Sequence, residues 1–346
     1  MTFTKFPIPT SEADPDSITV GPDGALWFTE SQPGKIGRIT TSGSVTEYPL
    51  PTVNAFPSNI TSGSDGALWF TFSGSGNDST VIGRITTAGN FTPHPFPEAT
   101  AGAYATSIAA GPDGALWYGK EGLYLSDSSD DKFGRITTGG TISEYPVPVP
   151  SGDYAAEPTA EVAGPDGNLW YTVETNFNFA PDYVADGGLI ARVTTGGTVT
   201  EYPLAVSNTV PSAIAAGPDG ALWFTQNNQA ATSTGNEIGR ITTSGSVTEY
   251  PVNSNTLYGI TSGPDGAVWF NDSFGCISRI ATGGSVTQYA LPAAYDVSYG
   301  LTTGPDGAIW FLDSTGNFIG RLVPGTGTAV RTRRLTLPPG KGPGSP

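Results

Sequence analysis

One stretch recurs seven times and leaves this chain few ways to fold. Its first copy is Gly21-Pro22-Asp23-Gly24-Ala25-Leu26-Trp27-Phe28-Thr29, and later copies start at Gly63, Gly111, Gly164, Gly217, Gly263 and Gly304. Each carries an Asp-Gly turn and then one Trp: Trp27, Trp69, Trp117, Trp170, Trp223, Trp269 and Trp310. These are all seven Trp of the chain, spaced 41 to 53 residues apart. A period of that size marks a repeat architecture whose units bury their apolar faces only against neighbours.

Within the first unit four short strands are readable. Ser17 to Val20 is strand a. Gly21 to Gly24 is a turn in which Pro presets φ and Asp-Gly supplies a positive-φ position. Ala25 to Thr29 is strand b, with Leu26 and Phe28 on one face and Trp27 on the other. Ile36 to Thr40 is strand c, and Val45 to Pro49 is strand d, whose Pro suits an outer edge. Repeated seven times, this predicts an all-β, seven-bladed β-propeller with four antiparallel strands per blade and no helix. Phe3 to Pro9 matches strand d but precedes any a, b or c strand, whereas Ile319 to Leu322 is a strand c with no good d after it. The N-terminal strand is therefore expected to complete blade 7, so that residues 1–323 form one closed domain. Residues 324–346 read as a basic, Gly/Pro-rich tail, with Ala329 to Leu335 as a weaker rival for the closing strand.

The recurrent charges read as structure. One Arg on each strand c (Arg38, then Arg84 and so on) and one Asp in each a–b turn suggest an Asp–Arg contact in every blade, since a site used once per molecule needs no seven copies.

A net charge of −16 argues against nucleic acid and against anionic membrane surfaces. It leaves cations, cationic ligands and neutral small molecules, peptides or sugars. With one Cys, Cys276, no intrachain disulfide is possible. No 18-residue apolar run exists. The start of the sequence has no apolar leader, so a cytoplasmic monomer is the default expectation, with secretion open if a leader has been removed.

The a–b and c–d turns are short and nearly invariant, so function is expected on the opposite face, formed by the b–c loops and the d–a links. Links are read as Thr10 to Asp16, Glu98 to Thr106 and Ser151 to Glu161, among others. This face carries Asp16, Asp127, Asp131, Asp153 and Glu157, little Lys or Arg, and interleaved aromatics such as Tyr104, Tyr124 and Tyr183. A sharper signal is the third position after each Trp: Glu30, Phe72, Lys120, Val173, Gln226, Asp272 and Asp313. Blades 6, 7 and 1 are neighbours in a closed ring, so Asp272, Asp313 and Glu30 are expected to form a carboxylate arc that could hold Mg²⁺ or Ca²⁺. Alternatively, one of them is pushed to high pKa and serves as acid or base. Tyr258, Tyr299 and Asp16 would enter beside the arc as ligand-binding groups, and Glu121 and Glu174 are further candidates. An outward orientation of all these side chains stays open.

The repeats GPDGALWFTE and IGRITTSGSVTEYPLP resemble those of the virginiamycin B lyase family (streptogramin B lyases and relatives), from about Phe3 to Leu322. The resemblance implies a seven-bladed propeller and elimination at the ester linkage of a cyclic depsipeptide. It also implies Mg²⁺, a metal-holding glutamate and a histidine acid/base at the channel mouth. The single histidine here, His94, aligns with Tyr48 on outer strand d. Glu30, Lys120 or a Tyr would have to act in its place. Three readings follow: a binding module for a small molecule, peptide or sugar, with or without a divalent cation; a metal-dependent lyase without a catalytic histidine; and a scaffold without ligand.

Overall fold

The computed structural model describes residues 2–52, 55–74, 81–96, 104–122, 131–150, 156–177, 185–204, 209–229, 235–254, 256–273, 275–291, 297–325 and 331–334. The N-terminal strand is β1 (Thr2–Pro7). Blade 1 is β2 (Pro15–Val20), β3 (Leu26–Glu30), β4 (Lys35–Ile39) and β5 (Val45–Pro49). Blade 2 is β6 (Phe56–Ser62), β7 (Ala67–Ser73), β8 (Val81–Thr86) and β9 (Phe91–Pro95). Blade 3 is β10 (Tyr104–Ala110), β11 (Leu116–Glu121), β12 (Lys132–Ile136) and β13 (Ile142–Pro146). Blade 4 is β14 (Ala156–Ala163), β15 (Leu169–Phe177), β16 (Ala185–Val193) and β17 (Val199–Pro203). Blade 5 is β18 (Thr209–Ala216), β19 (Leu222–Asn228), β20 (Asn236–Ile241) and β21 (Val247–Val252). Blade 6 is β22 (Leu257–Ser262), β23 (Val268–Asp272), β24 (Cys276–Ile280) and β25 (Ser285–Ala290). Blade 7 holds β26 (Val297–Thr303), β27 (Ile309–Asp313) and β28 (Phe318–Val323), and a last strand is β29 (Arg331–Arg334).

All ladders are antiparallel, and the a strands of successive blades touch one another around a closed ring, β2 meeting both β6 and β26. The fold is thus the expected seven-bladed propeller, with strand a lining the axis and strand d outermost. Closure follows the sequence: β1 pairs with β28, from Thr2 opposite Val323 to Pro7 opposite Phe318. The rival segment goes elsewhere. β29 adds a fifth strand to the outer edge of blade 6, with Arg331 opposite Gln288. The remaining tail residues, 326–330 and 335–346, lie outside the described residues.

Each seam between blades has the same construction. The strand-b Trp points into the following blade, and the next residue, Phe or Tyr, points into the preceding one. Trp27 thus packs with Leu68 and Phe70 of blade 2, while Phe28 packs with Trp310 of blade 7. All seven indoles are at most 1% exposed. At ~150–250 Å² each, every Trp contributes about 4–6 kcal/mol of gross hydrophobic stabilisation. A strand-d aromatic stacks on each: Tyr48 on Trp27 at 5.4 Å, His94 on Trp69 at 5.0 Å and, across the closing strand, Phe6 on Trp310 at 5.6 Å. His94 therefore does the work of a Tyr. Burial and the nearby Arg84 both hold its pKa below the usual value.

The expected Asp–Arg contact is present in all seven blades, and the Trp joins it. Trp27 Nε1 donates to Asp23 Oδ1 at 3.0 Å, and Arg38 Nε donates to Asp23 Oδ2 at 2.6 Å. The same triad recurs through Asp65, Asp113, Asp166, Asp219, Asp265 and Asp306. Each Asp thus satisfies an indole N–H that folding removes from water.

Candidate functional site at the channel mouth

The axis of the ring is a channel of about 710 Å³, walled by strand a of every blade. Its charged liners are Asp16, Glu161 and Glu174, and no Lys, Arg or His is among the described residues that line it. Asp16, read from the sequence as the end of the link into blade 1, is the second residue of β2. Burial, with Asp14 adding to it, pushes its carboxyl up to about 6.

One convergent group of ionisable side chains on the loop face belongs to blades 3 and 4. Tyr104 begins β10 directly opposite Glu121, which ends β11. Glu157 of β14 lies directly opposite Glu174 of β15. Two like charges facing each other across a ladder repel. The two pairs also meet: Glu121 hydrogen-bonds both Tyr104 and Glu157. A hydrogen bond between two carboxyl groups requires a proton on one of them. Burial is the largest cause for all three carboxyl groups, and for Glu157 and Glu174 neighbouring carboxylates add to it. Glu157 is pushed up to about 8 with Glu121, Asp131 and Glu174 around it, and Glu174 up to about 7 beside Glu121. Glu121 is raised by burial alone, against the two hydrogen bonds, and the Tyr104 phenol is raised as well. Asp131 is pinned, its Oδ1 accepting from Gly122 N at 3.0 Å. Tyr104 remains 42% exposed, so the cluster is reachable from solvent.

Of the residues singled out in the sequence, Glu121 and Glu174 are therefore brought together, and Asp16 lies at the same channel. The carboxylate arc does not assemble. Asp272, Asp313 and Glu30 are each 0% exposed, and each follows, at the alternation of its strand, the aromatic that points into the preceding blade. Each thus lies in a different seam, because strand b stands behind strand a and its side chains alternate between seams, not toward the axis. Asp272 Oδ1 accepts from Cys276 N at 3.2 Å, and Asp313 Oδ1 accepts from Gly316 N, so both cap their own b–c turns. Glu30 is pushed up to about 7, chiefly by burial with Glu47 adding, while Lys35 opposes the shift. Lys120 is likewise committed: it is 4% exposed and its Nζ lies 3.2 Å from both oxygens of Glu144. Tyr258 is half-buried, and its carbonyl accepts from Thr225 Oγ1 at 3.2 Å. The Tyr299 side chain, and all of Asp127, Asp153, Tyr124 and Tyr183, lie outside the described residues.

Among the described residues, no three His, Cys, Asp or Glu are grouped so as to hold a metal ion. The three carboxylates expected to hold Mg²⁺ or Ca²⁺ do not fit that role, since such ions need several oxygens around one point.

From the sequence, Glu157 and Tyr104 stand out only as members of a general acidic and aromatic rim, and Glu161 carries no motif that singles it out. The stretch read as a link from Ser151 to Glu161 is in fact strand a of blade 4 from Ala156 onward. Comparison of strand a between blades would have exposed Glu161 as the exception to an aliphatic position.

The profile of the Virginiamycin B lyase family matches residues 2–178 and 119–338 of this chain. A streptogramin B lyase structure is 30% identical, covers 92% of this chain and 96% of its own, and superposes with a TM-score of 0.73. The selenomethionine-substituted virginiamycin B lyase from Staphylococcus aureus is 30% identical over 92% of this chain and 98% of its own, also with a TM-score of 0.73. A catalytically inactive variant of the Staphylococcus aureus enzyme with quinupristin, in which a histidine is replaced by alanine, is 28% identical over 92% of this chain and 98% of its own, again with a TM-score of 0.73.

Proposed function

This chain belongs to the virginiamycin B lyase family, and from that premise we propose that it is a ligand-binding propeller whose site is the channel mouth between blades 3 and 4. The observation that carries this reading is the cluster of Tyr104, Glu121, Glu157 and Glu174, two facing pairs on adjacent blades that set three buried or half-buried carboxyl groups, raised in pKa by burial, beside an accessible aromatic ring. Near neutral pH such a mouth presents hydroxyl donors, carboxylate acceptors and a ring face together. That combination suits a small molecule, peptide or sugar rich in uncharged polar groups, and it disfavours an anion.

A second reading, elimination at a cyclic depsipeptide without a catalytic histidine, is favoured by one feature. Glu157 and Glu174, at about 8 and about 7, are bases matched to neutral pH. His94 stacks on Trp69 at an outer strand and has no part in this site.

Quinupristin, found with a relative, is the first probe. Titration into the wild type and into Glu157→Gln, with ring opening followed by chromatography and fragmentation with and without Mg²⁺, separates the readings. Binding without turnover, weakened at least ~10-fold in Glu157→Gln, supports the binding module. Turnover lost by ~10²-fold or more in Glu157→Gln supports the lyase. Binding or turnover that ignores the substitution removes the mouth cluster from both.

A further inference from the structure

At one position of strand a, six blades place an aliphatic side chain: Ile18, Ile60, Ile108, Ile214, Ile260 and Leu301. Blade 4 places Glu161. The equivalence is set by register, since each of the seven lies directly opposite the aromatic that follows the Trp, from Ile18 opposite Phe28 to Glu161 opposite Tyr171. In six seams the aliphatic group belongs to the buried core. The seam of blades 3 and 4, built on Trp117, Phe133 and Tyr171, lacks it.

A carboxyl at this point is costly. Glu161 is 9% exposed, and its Oε2 accepts from Ser107 Oγ. Its Oε1 is buried without a hydrogen-bond partner, as is the hydroxyl of Tyr171. Orphaned buried polar atoms destabilise a fold, and hydrocarbon serves at the same place six times in this chain. Glu161 also lines the axial channel. It lies three β15 residues below the Glu157–Glu174 pair, roughly 10 Å deeper than the mouth. At about 710 Å³ the channel has the size of a small-molecule site, with an aliphatic ring on its wall and only acidic charges among its described liners.

We propose that the channel interior is a second binding site, for an organic monocation whose ammonium group pairs with Glu161 while its apolar body lies on the Ile and Leu ring. One deep carboxyl group matches an ammonium, whereas a divalent ion requires six or more oxygens.

The pairing is linked to protons. Burial pushes Glu161 up to about 8, against the Ser107 hydrogen bond. On the strands packed against β14, the other titratable groups are Tyr104 of β10, Tyr118, Lys120 and Glu121 of β11, and Tyr171 and Glu174 of β15; β18 has none. Asp16 faces it across the channel, and Glu157 shares its strand. Ammonium binding requires the ionised carboxylate, so affinity rises by about 25-fold between about pH 6.5 and about pH 8.5 for a group titrating at about 8.

The test is calorimetric titration of the full chain with benzylammonium chloride, which stays protonated over that range, and with benzyl alcohol as its neutral analogue. The expected result is saturable one-to-one benzylammonium binding that strengthens with pH and is at least ~10-fold weaker in Glu161→Gln and in Glu161→Ile, with benzyl alcohol weak throughout. Glu161→Ile restores the residue type of the other blades, so its thermal unfolding at or above that of the wild type shows that lost binding is not lost folding. Should it fail to fold, near-isosteric Glu161→Gln carries the test. Absence of saturable binding near pH 8.5, equal affinity for benzyl alcohol, or unchanged affinity in Glu161→Gln overturns the proposal.

Discussion

Replacing Glu161 by Ile should leave the propeller nearly unchanged in stability near pH 5 and make it markedly more stable near pH 8. The unfolded chain titrates this carboxyl at about 4.5, whereas burial raises it to about 8 in the folded state. Between those values the native state holds a proton that the unfolded state releases. The wild type therefore loses stability as pH rises through this window, at up to ~1.36 kcal/mol per pH unit. Below the unfolded value the penalty is absent, and above the folded value it is complete. From about pH 5 to about pH 8 the span is 3 pH units, so the loss approaches about 4 kcal/mol. Glu161→Ile does not titrate at this position and escapes the loss. Its pH-independent terms nearly cancel: burying Ile contributes ~1.5–3 kcal/mol, and leaving the Ser107 hydroxyl without its acceptor costs ~1–3 kcal/mol. Urea unfolding followed by Trp fluorescence measures the difference, since all seven indoles are buried. The other carboxyl groups titrate equally in both proteins and drop out. A difference between variant and wild type that changes by less than ~1 kcal/mol across this range refutes the reasoning.

The Asp–Trp–Arg triads allow a sharper ordering than the ion pair alone. Asp219→Ala leaves the wholly buried Trp223 indole N–H without an acceptor and should cost about 2–4 kcal/mol in urea unfolding, whereas Arg240→Ala, which removes only the solvent-facing partner, should cost less than about 1 kcal/mol; equal costs would place the stabilisation in the ion pair. Gly239→Ala should cost about 1–3 kcal/mol by the same assay, because its Cβ would fall 2.0 Å from the Phe224 ring, and a neutral result would show that this seam can yield.

The fold was legible because a propeller repeats its local rules. Trp27 and its six counterparts, the Asp-Gly turns, and the misplaced strand d at Phe3 to Pro9 each carry one piece of the architecture, and none depends on a neighbouring blade. The site was less legible because it depends on which way a side chain points in the ring. Asp272, Asp313 and Glu30 occupy one position in adjacent blades, which suggests convergence. The propeller instead puts a wall of strand a between that position and the axis and sends each carboxylate into its own seam. Glu121 and Glu174 stand one residue later than that position, after Lys120 and Val173, and the pleat turns them the other way. Alternation alone thus separated a turn cap from a mouth residue. Glu157 and Glu161 were hidden by a boundary, since a strand read as a link gives its side chains no face.

Departures from the repeat are not spread evenly around the ring. Blades 3 and 4 alone replace the seam Phe by Tyr118 and Tyr171, and blade 4 alone puts a carboxyl in the aliphatic ring. The facing pairs Tyr104–Glu121 and Glu157–Glu174 crowd three carboxyl groups at the same sector's mouth. Crowding these carboxyl groups and burying Glu161 work against stability, while the six other blades show that an aliphatic side chain at the Glu161 position folds. A feature present seven times is explained by the ring it builds, as the Asp–Trp–Arg triads are. A carboxyl group that replaces the aliphatic residue of six blades and lines the channel is not explained by the ring. That asymmetry, rather than the acidity of the face as a whole, is the physical reason to look for ligands between blades 3 and 4 and in the channel beneath them.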